Sequence, residues 1–136
     1  MKKVILVLTL IGFVLSCGKD DNTNTNVDET FLIGTWRLVE NLADPGDGSG
    51  VFLAVDSNKQ ITFNSDGTIT SNGSLCDMSI QSETPTSGTY SSNLSFINSD
   101  DCINPNLNID FTLENSTLTI TYLCIEPCLS KYVKIE

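Results

Sequence analysis

From Phe31 onward the apolar side chains recur at every second position, the pattern that most narrows what this chain can fold into. Ile61/Phe63, Met78/Ile80, Tyr90/Leu94/Phe96, Ile109/Phe111/Leu113, Leu118/Ile120/Tyr122 and Val133/Ile135 each alternate with Thr, Ser, Asn, Asp or Lys. Period two is the signature of antiparallel strands with one face buried and one wet, and no stretch carries a helical stripe longer than two turns. Turn-forming stretches fall between the runs: "NSDG" at 64–67, "ETPTSG" at 83–88 and "ENS" at 114–116. The four prolines, Pro45, Pro85, Pro105 and Pro127, all lie outside the runs, as ladder hydrogen bonding requires. Eight strands are expected near 33–42, 59–64, 67–72, 76–81, 88–97, 107–113, 117–124 and 130–135. Short consecutive strands joined by tight turns suit an all-β, eight-stranded antiparallel up-and-down barrel, which closes on itself and leaves no exposed edge. A two-sheet sandwich is the alternative.

The first residues decide the compartment. "MKKVILVLTLIGFVLSC" opens with Lys2 and Lys3, continues with an apolar run from Val4 to Leu15 and ends on Ser16-Cys17. That run is shorter than the roughly 20 residues a spanning helix needs, so 1–16 reads as an export signal. A small residue before a cysteine resembles the lipobox of bacterial lipoproteins, which implies cleavage and acylation at Cys17 and a membrane partner reached through that lipid. Residues 17–30, with "GKDDNTNTNVDE" after the cysteine, hold too little apolar surface to fold and read as a tether, about 20 Å end to end as a random coil. Asp20-Asp21 behind the cysteine is similar to the export tag of surface lipoproteins in Bacteroidota. Outer-membrane anchoring, with exposure at the cell surface, is the localisation this implies.

Loss of the leader removes two lysines and no acid, so the formal charge moves from −10 to −12. Such a chain does not hold a nucleic-acid backbone. The mature chain, 17–136, is long enough for one domain with one modest core, placed at 31–136.

Four cysteines remain in an oxidising compartment: Cys76, Cys102, Cys124 and Cys128. An even count there argues for two disulfides. Three residues separate Cys124 from Cys128, one more than in a redox Cys-x-x-Cys pair. Four thiolates can hold zinc, but oxidation competes with it. Three pairings are open; bridges joining Cys124 and Cys128 to Cys76 and Cys102 are favoured, because long loops gain most from closure. In an up-and-down barrel the loops alternate between the two ends. Counting them puts the turns at 65–66, 82–87 and 114–116 with the tether, and all four cysteines at the opposite, stapled end.

The chain has no histidine, so neither a Ser-His-Asp nor a Cys-His arrangement is available. Asp44, Asp47, Asp56, Asp100, Asp101 and Glu126 gather at the stapled end by the same count. They sit in Gly- and Asn-rich turns, where acids serve the backbone. Calcium in "DPGDGSG" would need a spacing other than that of the EF-hand. Only Glu40 offers an inward acid, so no catalytic residue, metal site or cofactor is expected.

The first strand reads "LIGTWRLVEN", and Gly34-Thr35-Trp36 resembles the Gly-x-Trp of lipocalins. Residues 32–136, with "DPGDGSG", "ITFNSDGTITSNGSLC" and "CIEPCLSKYVK", are similar to the lipocalin-like domain of Bacteroidota lipoproteins. The resemblance implies a tryptophan plugging one end of a barrel with an arginine across it, and here the chain departs from the pattern: the last strand offers only Lys131 and Lys134. Trp36, on one face with Gly34 and Leu38, is expected to fill the tether-side end with Phe63, Phe111 and Tyr122. Leu38, Glu40, Met78, Tyr90 and Ile120 are the inward positions expected toward the stapled end, as the lining of a small-ligand site. Eight-stranded barrels either fill with side chains or hold one small molecule. Two functions follow: a binding protein for a small apolar ligand, or an interaction protein of the envelope with a filled barrel and an acidic rim. Nothing in the sequence names a protein partner.

Overall fold

The computed structural model describes residues 29–136. The leader, Cys17 and nearly all of the tether lie outside the described residues. A single helical turn, α1 (Glu29–Leu32), precedes nine strands: β1 (Gly34–Ala43), β2 (Leu53–Ala54), β3 (Gln60–Phe63), β4 (Thr68–Ser71), β5 (Thr86–Ser91), β6 (Phe96–Asn98), β7 (Ile109–Glu114), β8 (Thr117–Thr121) and β9 (Cys128–Lys134). Every pairing is antiparallel, and β9 returns to pair with β1 from Trp36↔Lys134 to Ala43↔Cys128. β2 pairs only with β1, in line with β3 along the same edge. The ring is therefore a closed barrel of eight strands.

Eight is the expected number, but the strands are not all the expected ones. Residues 76–81 form no strand. Their carbonyls are taken by side chains instead of a ladder: Lys59 Nζ donates to Asp77 and Ser79, Asn41 Nδ2 to Met78, and Ser57 Oγ to Ile80. The expected strand 88–97 is in turn two strands, β5 and β6, because the chain reverses at 92–95 with Ser95 at φ 55°. Leu94, read as inward, is 71% exposed on that turn. One strand lost and one gained keep the parity of all later elements. The exchange moves residues 82–85, expected in a turn at the tether end, to the stapled end as part of loop 72–85, while Thr86 and Ser87 open β5.

The sheet buries one face of each strand around a single core of Leu32, Trp36, Leu38, Ile61, Phe63, Ile69, Leu75, Ile97, Phe111, Leu118, Ile120 and Tyr132, all at most 2% exposed. Each large side chain so buried contributes roughly 1.5–3 kcal/mol. At the tether end α1 closes the barrel. Trp36 Nε1 donates to the Leu32 carbonyl at 2.8 Å, and Phe31 packs edge-on to the indole at 6.0 Å between centroids. Glu29 and Thr30, expected in the tether, belong to this plug. Lys134 lies across from Trp36 in register, its ammonium 5.7 Å from the indole and donating to the Phe31 carbonyl at 2.7 Å. A lysine thus stands where the resemblance sets an arginine.

Candidate functional site

Loops 44–59, 72–85, 99–108 and 122–127 surround the mouth opposite α1, and all four cysteines lie among them or, for Cys128, at the first residue of β9. The bridges are Cys76–Cys102 and Cys124–Cys128. This corrects the favoured pairing between the two halves of the set. The loops carrying Cys76 and Cys102 meet directly, with Cα atoms 5.4 Å apart, while Cys124 and Cys128 flank the loop that turns β8 into β9. Paired in this way, the four cysteines among the described residues offer no thiolate for zinc.

Loop 72–85 lies across the mouth. Leu75 drops into the core, and Met78 packs against it. The loop folds on itself through Asp77, whose carboxylate accepts from the Ser79 amide at 2.8 Å and the Ser74 hydroxyl at 3.0 Å. Beneath it sits Lys59, fully buried, with Nζ 3.1 Å from the Asp77 carbonyl, 2.9 Å from the Ser79 carbonyl and 5.8 Å from the centre of the Tyr122 ring. Burial draws its pKa down to about 8, against the opposing field of Asp77. Next to it Tyr122 and Tyr132 share a hydroxyl contact at 3.1 Å, and Ser130 Oγ donates to Asn41 Oδ1 at 2.6 Å. Burial pushes the Tyr122 phenol up to about 12 and holds that of Tyr132 well above its ordinary value. The mouth thus carries a layer of ammonium, amide and hydroxyl groups between the apolar core and the covering loop.

Of the five side chains expected to line this end, Leu38 and Ile120 are buried in the barrel, and Met78 is on the covering loop. Tyr90 stands near the other end. Its hydroxyl donates to the Asn64 carbonyl at 2.8 Å and its ring meets Phe63 at 4.9 Å, so it completes the tether-side cluster with Phe63 and Phe111. Tyr122, expected in that cluster, is at the mouth. Glu40 points outward, to Lys131 at 3.0 Å. The cause is a β-bulge: the register along β9 skips Val39, so Leu38 faces Tyr132, Glu40 faces Lys131 and the inward direction passes to Asn41. Lys59 and Asn41 were missed for one reason each. A lysine in a polar run reads as solvated, and a bulge leaves no mark in alternation.

The acidic turn 44–50 has its own explanation. Asp44 accepts from the amides of Gly46 and Gly48 on one oxygen and Gly50 on the other, at 2.7, 3.0 and 2.7 Å. These amides, Gly50 first, hold its carboxyl below the usual range. Among the described residues no group of three or more His, Cys, Asp or Glu is placed to hold a metal. A shallow groove of about 370 Å³ runs on the outer wall between Glu40, Lys131, Thr117 and Glu114, but its lysine is already neutralised by Glu40.

The rim carries exposed apolar side chains among its acidic ones. Ten large hydrophobic side chains are exposed among the described residues, and seven of them, Val51, Leu53, Ile80, Ile103, Leu107, Leu123 and Ile125, are on the loops of the stapled end. Ile103 and Ile125 are essentially bare, at 98% and 100%.

A family model described as a lipocalin-like domain matches residues 32–100. No curated protein and no solved structure matches the chain.

Proposed function

Because the chain belongs to the lipocalin-like domain family, whose barrel is a small-ligand binding fold, we propose that it is a non-enzymatic binding protein that takes a small apolar ligand at its stapled end. In this reading a lipid on Cys17 holds it to the outer membrane, the tether gives it reach, and the mouth faces away from the surface. The observation that carries the reading is the set of seven apolar side chains on the mouth loops. The depth of the barrel is already filled by Trp36, Phe63, Phe111 and Tyr132. The ligand therefore belongs in the mouth, against Leu75, Met78 and the rim, and not in the barrel's centre.

Titration of the protein with the uncharged fluorophore N-phenyl-1-naphthylamine tests this. One saturable site is expected, weakened about tenfold or more when Leu53 and Ile103 are replaced by Asp, since charges on the rim make its desolvation costly. Absence of a saturable signal, or indifference to those replacements, overturns the reading. Metabolic labelling with palmitate, abolished by Cys17→Ala, tests the anchor separately. The filled core favours a second reading, an interaction protein whose rim meets another envelope component, and that reading stands if the fluorophore does not bind.

A further inference from the structure

We propose that Lys59, with Asn41, forms a binding site for the anionic head of an amphiphile, and that the carbonyls of residues 77–79 occupy this site when no ligand is bound. The proposal rests on the apolar-ligand reading above and names the ligand's chemical class.

Four cations lie among the described residues, and they are placed very differently. Arg37 is exposed on the outer face of β1, Lys131 is paired with Glu40, and Lys134 lies over Trp36 at the plug. Lys59 alone is buried inside the barrel, and among the described residues no carboxylate pairs with it. An ammonium withdrawn from water costs several kcal/mol unless an opposite charge compensates it. Two carbonyl dipoles compensate only in part, and a carboxylate in their place forms the stronger, charge-assisted bonds. Asn41 Nδ2 points to the same layer and is satisfied by the carbonyl between those two, that of Met78. Three successive carbonyls of one loop thus mimic the oxygens of an anion before two donors on the barrel wall.

The covering loop suits exchange. Residues 76–81 make no ladder bonds to the barrel, and Asp77 and Ile80 face solvent. The Cys76–Cys102 bridge anchors its first half, so lifting displaces 77–81 without releasing the loop. A ligand that enters replaces the carbonyls with its own oxygens and lays its tail against Leu75, Met78 and the rim. The acidic rim, with Asp56, Asp77, Asp100 and Asp101, repels small free anions. An apolar tail is needed to bring the charge in, which points to long-chain carboxylates and against inorganic ions.

The test compares dodecanoate with dodecanol, equal in tail and different in head, by calorimetry on the full chain at pH 7 and pH 10. Dodecanoate is expected to bind at least tenfold more tightly than dodecanol at pH 7. Lys59→Met is expected to abolish that preference. The wild type, which needs no variant to fold, is expected to lose most of the preference at pH 10. By then Lys59, facing Asp77 and the still-protonated Tyr122 and Tyr132, has given up its proton. Equal affinities for the two probes at pH 7, or a preference that survives Lys59→Met or pH 10, overturn the proposal and leave the apolar site standing. If neither probe binds, both readings fall.

Discussion

Gly34 shows why a glycine stands two residues before the tryptophan. Its φ is +128°, a region that side-chain-bearing residues rarely adopt, and a Cβ there would collide with the Glu136 carbonyl and approach Lys134 Cε to 2.9 Å. The end of the chain closes over this position, with the Thr35 amide donating to the Glu136 carbonyl at 3.1 Å. Strain and collision act together, so Gly34→Ala is expected to cost more than about 1 kcal/mol. A lower urea midpoint with an unchanged slope would show it; an unchanged midpoint would mean the C-terminal residues yield freely. Trp36 itself was legible from the same three letters because its role is large, apolar and local. The roles of Lys59 and Asn41 were not. Each depends on a partner at least 18 residues away, on a loop whose conformation no local pattern announces.

At the scale of elements, alternation found the strands whose two neighbours are both strands. It failed where side chains replace a ladder. "CDMSIQ" alternates as well as "ITFNSD" does, yet only the second lies between two partners, β1 and β4. The first meets Lys59, Asn41 and Ser57, whose donors end any ladder there. Parity survived this because an unforeseen turn at 92–95 restored the count, so the polar placement of the cysteines held while their pairing did not. The pairing has a measurable consequence. Cys76–Cys102 spans 26 residues and Cys124–Cys128 only 4. Loop-closure entropy then puts the first bridge at about 3.5 kcal/mol and the second at about 2 kcal/mol. Replacing each pair by serine and measuring chemical denaturation is expected to return that order; an equal or reversed order would show that the short bridge constrains more than its own loop.

For the molecule as a whole, the buried layer at the mouth makes stability depend on pH in a way its acidic surface would not suggest. Lys59 ionises near 8 when folded and near 10.5 when free. Between those values the unfolded chain holds a proton that the folded one lacks, and stability therefore rises with pH. Tyr122 and Tyr132 act in the opposite sense: unfolded phenols ionise near 10, while burial keeps both protonated well beyond it, so stability falls above pH 10. The two slopes give a maximum near pH 10, reached by a gain of about 2–3 kcal/mol from pH 7 that follows from the displacement of the lysine pKa at 1.36 kcal/mol per unit. Urea denaturation at pH 7, 8, 9, 10 and 11 measures the curve. In Lys59→Met the rise between 8 and 10 is expected to vanish and the fall above 10 to remain, because the phenols stay buried. A wild-type curve flat from 8 to 10 would mean that the ammonium is hydrated in solution, and the loop across the mouth would then be open without any ligand.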